Sequence, residues 1–370
     1  MKKIDTPLVF EGKGNKNKKS SRGKMFGYQV LGFGSGGTPF KPIVATGGCV
    51  TTCGNFKIHV FKSPGTFCVS CAGVNAVADY IVQAGGGGGA RTGGAGAGGL
   101  RFASCTYTAP SCTSPRAGTA LTLSVSPFPI TIGCGGAGTP VNPPVPVPSG
   151  NKPVKGSNSV FATITSTGGG AGFMPQSGSC GSNTNGGSGG GGVPGGTNPK
   201  VACSGIGNSP PVSPPQGFSS TCNPGLPPQA TPEGPVSSVD GGGAGGNTSN
   251  LASTPAPRTG SAGLGFPTDI MKSCVGVSSP SPTVKFIGGG GGGGSSVTPS
   301  TLTTGQHGGG SGGGGTPGNP GSANNGSPGT ANTGGGGGGG GAGGGRSTQP
   351  PQGGGGSGGS GVVIIRYQYQ

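Results

Sequence analysis

The chain has 370 residues, of which 95 are glycine and 37 are proline, while only 28% are hydrophobic. Because an ordinary globular protein contains about 7% glycine, the apolar residues suffice for one small core and argue against two or three large domains. The formal net charge is +16, yet only 8% of the residues are charged, which argues against the dense charge of an ordinary disordered chain.

The basic residues are concentrated at the start of the chain. Much of the positive charge lies in the first 25 residues, at Lys2, Lys3, Lys13, Lys16, Lys18, Lys19, Arg22 and Lys24. Phe10 is the one aromatic residue among them, so a base-stacking surface for nucleic acid is not indicated. Asp5 and Pro7 interrupt the apolar core that a signal peptide needs. Residues 1–44 are interpreted as a basic arm and attachment segment.

Short β-strands are predicted from residue 54 onward. In NFKIHVFKSPGTFCVS, the alternation of Phe56, Ile58 and Val60 with Lys57, His59 and Phe61, followed by Ser63-Pro64-Gly65, predicts a hairpin. His59 is expected on the surface of its strand. Further strands are predicted at 78–84, 119–125, 129–133, 158–166, 283–287 and 362–367. The fold class expected is all-β.

Strand ends coincide with glycine runs. Predicted strands stop where runs begin, near Gly85, Gly135, Gly168 and Gly288, and the last strand starts after Gly361. Random linkers would not be phased in this way. The β-branched run Val362 to Ile365 is typical of the middle of a sheet. We therefore expect residues 45–167 to form sandwich strands with the first glycine segments, 168–361 a glycine-rich insertion with loops, and 362–370 the closing strand.

The glycine runs indicate a polyglycine II bundle. Collagen is excluded because the runs are contiguous rather than spaced by three. A helix with three residues per turn has outward-pointing N–H and C=O groups, so several can bond side by side where no Cβ intervenes. Segment 85–99 would then span roughly 45 Å and segment 334–345 roughly 37 Å. Proline-rich stretches such as SPPVSPPQG are expected to form loops.

The eleven cysteines favour an oxidising destination. Cys105 and Cys112 are a candidate disulfide that would close a small loop. Cys49, Cys53, Cys68 and Cys71 have a spacing tolerable for zinc, but disulfides or free thiols are favoured there and no metal site is predicted. The odd count leaves at least one thiol unpaired or bonded to another chain.

Catalytic and cofactor-binding residues are not predicted. The six acidic residues are scattered without a pair, and no acidic residue follows Asp79 at the distance that a dinucleotide site needs. The conspicuous large side chains in or near the glycine regions are candidate surface contacts: Arg91, Arg101, Tyr107, Arg258 and Arg346. They could equally serve solubility alone.

The stretches FKIHVFKSPGTFCVS, ADYIVQAGGGGGARTGGAGAGG, ITIGCGGAG, NSVFATITSTGGGAG and GGSGVVIIRY resemble the glycine-rich domain of phage tail-fibre and virion-surface proteins. They are also similar to the glycine-rich region of anaplastic-lymphoma-kinase-type receptors. The resemblance covers roughly residues 45–367. It implies a small jelly-roll-like β-sandwich with an inserted bundle of polyglycine II helices and proline-rich loops.

The resemblance implies a non-enzymatic virion protein, a tail fibre or adhesin that displays host-recognition loops. Its partners would be other virion proteins, through residues 1–44, and a host-cell polysaccharide or outer-membrane protein. A homo-oligomer is expected, with a trimer suggested by fibre analogy, and no specific nucleic acid. The expected location is the virion surface, reached by lysis. The alternatives are an architectural capsid decoration or filament subunit, and an ice-binding or matrix protein.

Overall fold

The computed structural model describes residues 41–73, 76–91, 93–104, 117–141, 148–173, 183–191, 205–220, 241–243, 262–268, 270, 277–278, 285–291, 324–341 and 353–370. The chain divides into two compact units, Met1–Lys41 and Pro42–Gln370. All the strands and glycine segments given below belong to the second unit. Within the described residues, no helix has the length and apolar character needed to cross a membrane.

The described strands are all antiparallel, which confirms the all-β fold class. In chain order they are β1 (Val44–Thr46), β2 (Cys49–Cys53), β3 (Phe56–Phe61), β4 (Gly65–Cys71), β5 (Val77–Gln83), β6 (Leu100–Ala103), β7 (Leu121–Thr122), β8 (Pro127–Thr131), β9 (Ser159–Phe161), β10 (Ile164–Ser166), β11 (Phe266–Thr268), β12 (Val277–Ser278), β13 (Lys285–Ile287) and β14 (Val362–Gln368). A short 3-10 helix covers Ser149–Asn151.

Three sheets form the β-sandwich and its cover. The first has the order β1-β4-β8-β9-β10, the second β2-β3-β14-β5-β6 with β7 beside β5, and the third β11-β13-β12. An aromatic and aliphatic core that includes Phe67, Phe161 and Tyr367 lies between the first two sheets. A second core joins Ile81 and Ile364 of the second sheet to Phe266 of the third. The second sheet is therefore covered on both faces.

The last strand is the centre of the second sheet. β14 pairs with β3 along one side, where Ile364 is opposite Val60, and with β5 along the other, where Ile364 is opposite Ile81. Val362 to Tyr367 are all buried. A run of β-branched residues suits this position because alternate side chains enter opposite apolar cores. The sandwich cannot be complete without the C-terminal strand.

Two of the strand predictions are wrong. The stretch 56–71 does not form a hairpin, because β3 lies in the second sheet and β4 in the first. The chain passes from one sheet to the other through the exposed residues Ser63-Pro64-Gly65, and Phe61 and Phe67 on either side are buried. The stretch 158–166 is not one strand but the hairpin β9–β10. Ala162 turns it with a φ of 52°, a left-handed conformation that an alanine signals poorly from sequence.

His59 is buried, contrary to the expectation of a surface histidine. Both faces of β3 enter a core, and the imidazole is 0% exposed. Its Nδ1–H donates to the Gly47 carbonyl at 2.7 Å, which leaves Nε2 to accept from the Tyr367 hydroxyl at 3.1 Å. These two hydrogen bonds satisfy the ring in its neutral form, so a polar residue is tolerated inside the sandwich.

Glycine segments leave the sandwich and pack into a bundle with a repeat of three residues. The N–H groups of Ala84, Gly87 and Ala90 all donate to segment 93–99, at 3.0, 2.9 and 2.8 Å. The N–H groups of Gly85 and Gly88 donate to segment 154–157, and those of Gly86 and Gly89 donate to segment 356–359. This rotation of the hydrogen-bond direction with each residue is that of a helix with three residues per turn.

Segment 84–90 is surrounded by six neighbours. Its carbonyl groups accept from three further segments, 136–139, 169–172 and 337–340, again in steps of three. With the three segments that receive its N–H groups, this makes a hexagonal arrangement. The polyglycine II bundle predicted from the glycine runs is therefore present. Segment 85–99 is not one rod, however, because the chain reverses between Ala90 and Gly93 and returns to β6.

Candidate functional site at the ends of the glycine bundle

At most glycine positions, the interior of the bundle leaves no room for a side chain, although small residues such as Ala95 and Ala97 are fully buried in it. A Cβ built on Gly86, Gly87 or Gly88 would lie less than 3.0 Å from a backbone carbonyl oxygen of a neighbouring segment. Real Cβ atoms essentially never come so close. Because the backbone N–H and C=O groups of segment 84–90 are already bonded to neighbouring segments, groups free to bind a ligand must lie at the ends or on the outer surface of the bundle.

The bundle has a near end at the sandwich and a far end. The near end lies where Gln83, Ser166 and Val362 bound the strands that feed it. The far end includes Arg91, which lies where the chain reverses direction between segments 84–90 and 93–99. Thr139 and Gly340 belong to the same end. Their backbone amides donate to the carbonyl groups of Gly89 and Ala90, which directly precede Arg91. Arg91 is the predicted contact residue at this end.

Arg91 is half-buried, and its burial lowers the pKa of the guanidinium from its ordinary value. Lys155 also lies along the bundle, where Val154 accepts from Gly88 and donates to Ala137, and burial lowers the pKa of its amine too. A cation that is partly removed from water gains more from an anionic partner than a fully solvated one. The far half of the bundle thus carries two such cations.

Arg101 lies on β6, at the near end, and not beside Arg91. Its Nη2 donates to the carbonyl of Ser213 at 3.1 Å. Segment 93–99 separates the two arginines, a length of roughly 20 Å at ~3.1 Å per residue. The structure therefore does not bring these two predicted contact residues together.

The stretch SPPVSPPQG forms a folded loop at the near end, beside β6. Gln216 is buried, donates to the Thr167 hydroxyl at 3.1 Å and accepts from the Thr167 amide at 2.8 Å. Asn208, with a φ of 53°, accepts from the amides of Val212 and Gln216. These two amide side chains position the loop. Sequence reasoning missed them, although an Asn and a Gln that flank a proline run are a signal for such a turn.

The buried ion pair of the second sheet is structural. Arg366 of β14 binds Asp79 of β5 through Nε at 3.1 Å and Nη2 at 2.5 Å, and Nη2 also donates to Ser104 at 3.0 Å. The Arg366 guanidinium stacks over the Phe56 ring, 4.8 Å from its centroid. The pair joins the first strand that feeds the bundle to the last strand of the chain.

The cysteines with zinc-like spacing are divided between two sheets. Cys49 and Cys53 lie on β2, whereas Cys68 and Cys71 lie on β4, and all four are free thiols. Within the described ranges, no three His, Cys, Asp or Glu side chains are grouped so that they could hold a metal ion. Cys134, at the start of a bundle segment, is an exposed free thiol as well.

Several predicted residues lie outside the described ranges. These are the candidate contacts Tyr107, Arg258 and Arg346 and the candidate disulfide residues Cys105 and Cys112.

Comparison with known proteins agrees with the architecture. No protein of curated function matches the chain. A family model described as a glycine-rich domain matches residues 62–368, a span that starts directly after β3 and includes all of β14. The chain therefore belongs to the glycine-rich domain family.

Proposed function

We propose that this chain is a non-enzymatic structural protein of a virion surface, a tail fibre or adhesin. The sandwich and the bundle would serve as a rigid scaffold, and host recognition would lie in loops at the bundle ends. The observation that carries the proposal is an interior closed to all but the smallest side chains, in which each glycine amide of segment 84–90 is bonded to a neighbouring segment. Such an interior offers stiffness and no chemistry.

A non-enzymatic role is supported by how the described titratable groups are used. His59 is held between a carbonyl and a tyrosine hydroxyl, and Asp79 is held by Arg366. A general acid or base needs to reach a substrate proton. The side chains of His59 and Asp79 are buried in the second sheet and do not face solvent. Their arrangement supports stability rather than catalysis.

The partners follow from the same proposal. Residues 1–44 would attach the chain to other virion proteins, since a basic arm suits an acidic protein surface. The far end, with its partly desolvated Arg91, would face a host polysaccharide or outer-membrane protein. The protein would reach the virion surface through lysis and would act there as a homo-oligomer.

Immunogold electron microscopy of purified particles from a lysate that contains this chain tests the location. Label on tail fibres or tips supports the proposal, and label spread over capsid faces supports the alternative of a capsid decoration. Particles without label would overturn both.

Adsorption measurements test the recognition role. Purified protein added before infection is expected to bind host cells and to slow adsorption of the particles, because it occupies the receptor. Protein that binds no host cell while the particles carry it would leave only an architectural role. Deletion of residues 1–41, which leaves the unit Pro42–Gln370 whole, is expected to prevent incorporation into particles, and unchanged incorporation would overturn the attachment role.

A further inference from the structure

Among the residues that the structure describes, β2 is an edge strand whose outer side has no strand partner. It bonds to β3 over Cys49–Cys53, and no backbone hydrogen bond between described residues reaches its other side. Cys49, Val50 and Thr52 are exposed, and Thr51 and Cys53 are half-buried. A row of free N–H and C=O groups is a template for another strand.

Among the other described edge strands, β1, β6 and β11 carry protection that β2 lacks. β1 has three residues and an irregular register at Val44/Ala45. β6 contains Arg101 and is covered by bonds from Gly118 and to Gln216, while β11 contains Pro267. β2 has the sequence CVTTC, without charge, proline or bulge. Natural sheets use such features to prevent edge pairing, so their absence indicates an edge that is paired in use.

The two thiols of β2 cannot bond to each other within one chain. Cys49 and Cys53 lie four residues apart on an extended strand, roughly 13 Å at ~3.3 Å per residue. A disulfide requires its Cα atoms to lie about 4.4–6.8 Å apart. Both thiols are free, and Cys49 is exposed. Any disulfide of Cys49 or Cys53 must therefore be formed with a thiol outside β2.

We propose that β2 pairs antiparallel with β2 of a second copy of this chain, about a two-fold axis at Thr51. In this register Cys49 of each copy is directly opposite Cys53 of the other, and Val50 is opposite Thr52. Residues directly opposite in an antiparallel pair have Cα atoms about 4.5–5.5 Å apart, which suits a disulfide. The five-residue strand is thus complementary to itself, as a two-fold interface requires.

Two disulfides then close the interface. Each forms when two thiols give up two protons and two electrons to a small-molecule disulfide such as oxidised glutathione, which is released as two thiols. Two chains that each carry a net charge of +16 repel each other. Because β2 has no charged residue, the contact between the two strands adds no like-charge pair to this repulsion.

Oxidation of the full-length protein with oxidised glutathione tests the covalent contact. Non-reducing electrophoresis is expected to show a dimer, and peptide mapping a cross-link between the peptides that contain Cys49 and Cys53. The double variant Cys49→Ser/Cys53→Ser should lose this dimer, while the matched control Cys68→Ser/Cys71→Ser, on β4, should keep it. Cross-links of Cys49 to Cys49, or both thiols still free, would overturn the register.

A charge placed on the axis tests the non-covalent contact under reducing conditions. Thr51→Lys sets two lysines opposite each other and is expected to raise the dimer dissociation constant roughly three- to tenfold in sedimentation equilibrium. Thr52→Lys is the control, because its lysine is opposite Val50 of the second copy. Circular dichroism checks that both variants fold. Equal dimerisation of the two variants, or a monomer in the unmodified protein, would overturn the proposal.

This inference refines the homo-oligomer of the proposed function to a two-fold dimer, and the two fail separately. A dimer in solution without label on particles would overturn only the virion role. Labelled particles with a monomeric purified chain would overturn only the edge pairing.

Discussion

At the scale of single residues, the bundle demands glycine for reasons of space rather than of backbone conformation. Among the described bundle residues a left-handed φ is rare, as at Gly334, where φ is 66°. At Gly88, by contrast, the constraint is the Ala137 carbonyl, which lies less than 3.0 Å from where a Cβ would be. Fully buried alanines such as Ala95 and Ala97 show that a methyl group fits at chosen positions.

We expect Gly88→Ala to destabilise the protein by about 1–3 kcal/mol, the usual cost of forcing a methyl group into a packed interior. The measurement is the free energy of unfolding in denaturant. Gly150→Ala is the matched control, because a Cβ there meets no atom within 4 Å. Equal stability of the two variants would show that segment 84–90 is not packed as described.

The buried imidazole of His59 predicts a pH dependence. Burial lowers its pKa from the ordinary value of 6.5, so the unfolded chain takes up a proton at a higher pH than the folded protein. Stability is therefore full above 6.5, falls as pH decreases through 6.5, and stops falling below the lowered pKa. Because the chain has two histidines, the comparison is made in a His307→Gln background.

In that background, the free energy of unfolding is expected to decrease between about pH 7.5 and about pH 5.5. Adding His59→Gln should flatten this dependence, since glutamine does not titrate yet can still donate and accept hydrogen bonds. Urea titrations across the range measure it. A slope that survives His59→Gln would mean that another group is responsible.

At the scale of elements, β14 links the parts of the molecule. It enters both cores, pairs with two strands and follows directly from bundle segment 353–361. Its Arg366 also neutralises Asp79 on β5. Breaking such a buried pair by removing one partner costs about 3–5 kcal/mol, so this strand contributes charge pairing as well as apolar burial.

A chain that ends at Gly361 is expected not to fold, and a peptide of residues 360–370 is expected to restore the fold by filling the vacant strand position. A peptide with Ile365→Asp should fail because it buries an unpaired carboxylate. The peptide with Gln368→Asp is the control, since Gln368 is exposed. Thermal melts followed by circular dichroism distinguish these cases, and a folded chain without β14 would contradict its central role.

The sequence predicted the positions of the longer strands better than it predicted how the strands pair. The apolar runs of β5 and β14 are strong and bounded by glycine, so their positions were predictable to within a residue. The turn at Ser63-Pro64-Gly65 fits both a hairpin and a crossing between sheets, and only the burial of both faces of β3 decides between them. The short strands β11 and β12 gave too few residues for a periodicity, whereas β13 lies within the strand predicted at 283–287.

The ends of the bundle were less predictable still. Arg91 and Arg101 share one glycine-rich stretch, and nothing in their spacing of ten residues tells that the chain reverses between them. That reversal depends on hydrogen bonds such as Ala90 to Gly93, which involve backbone atoms alone. The order of side chains in the sequence therefore does not indicate this reversal, because only backbone atoms make the contacts that define it.

At the scale of the whole molecule, the sandwich and the bundle depend on each other. Polyglycine loses much backbone entropy on folding, and its hydrogen bonds return only about 0.5–1.5 kcal/mol each. The sandwich compensates by fixing where each segment starts, as Ser159 does by accepting from the Gly133 amide and donating to the Gln83 carbonyl. The two parts should therefore unfold together.

Hydrogen exchange measures this coupling. Amides of residues 85–89 are expected to exchange as slowly as those of β5, about a thousandfold or more slower than in a free peptide. A single transition in denaturant should remove both. Glycine amides that exchange at the rate of a free peptide while β5 stays protected would show that the bundle is not part of the cooperative fold.

The repeat of three residues has a consequence for how such a protein diversifies. When one glycine is added to a run of glycines, the part of the segment next to the sandwich stays unchanged. The segment becomes one residue longer at its far end. That addition lengthens the rod by ~3.1 Å and turns the direction in which the chain departs by about a third of a rotation. Gain or loss of single glycine codons would thus re-aim whatever the rod presents, while the supporting architecture stays the same.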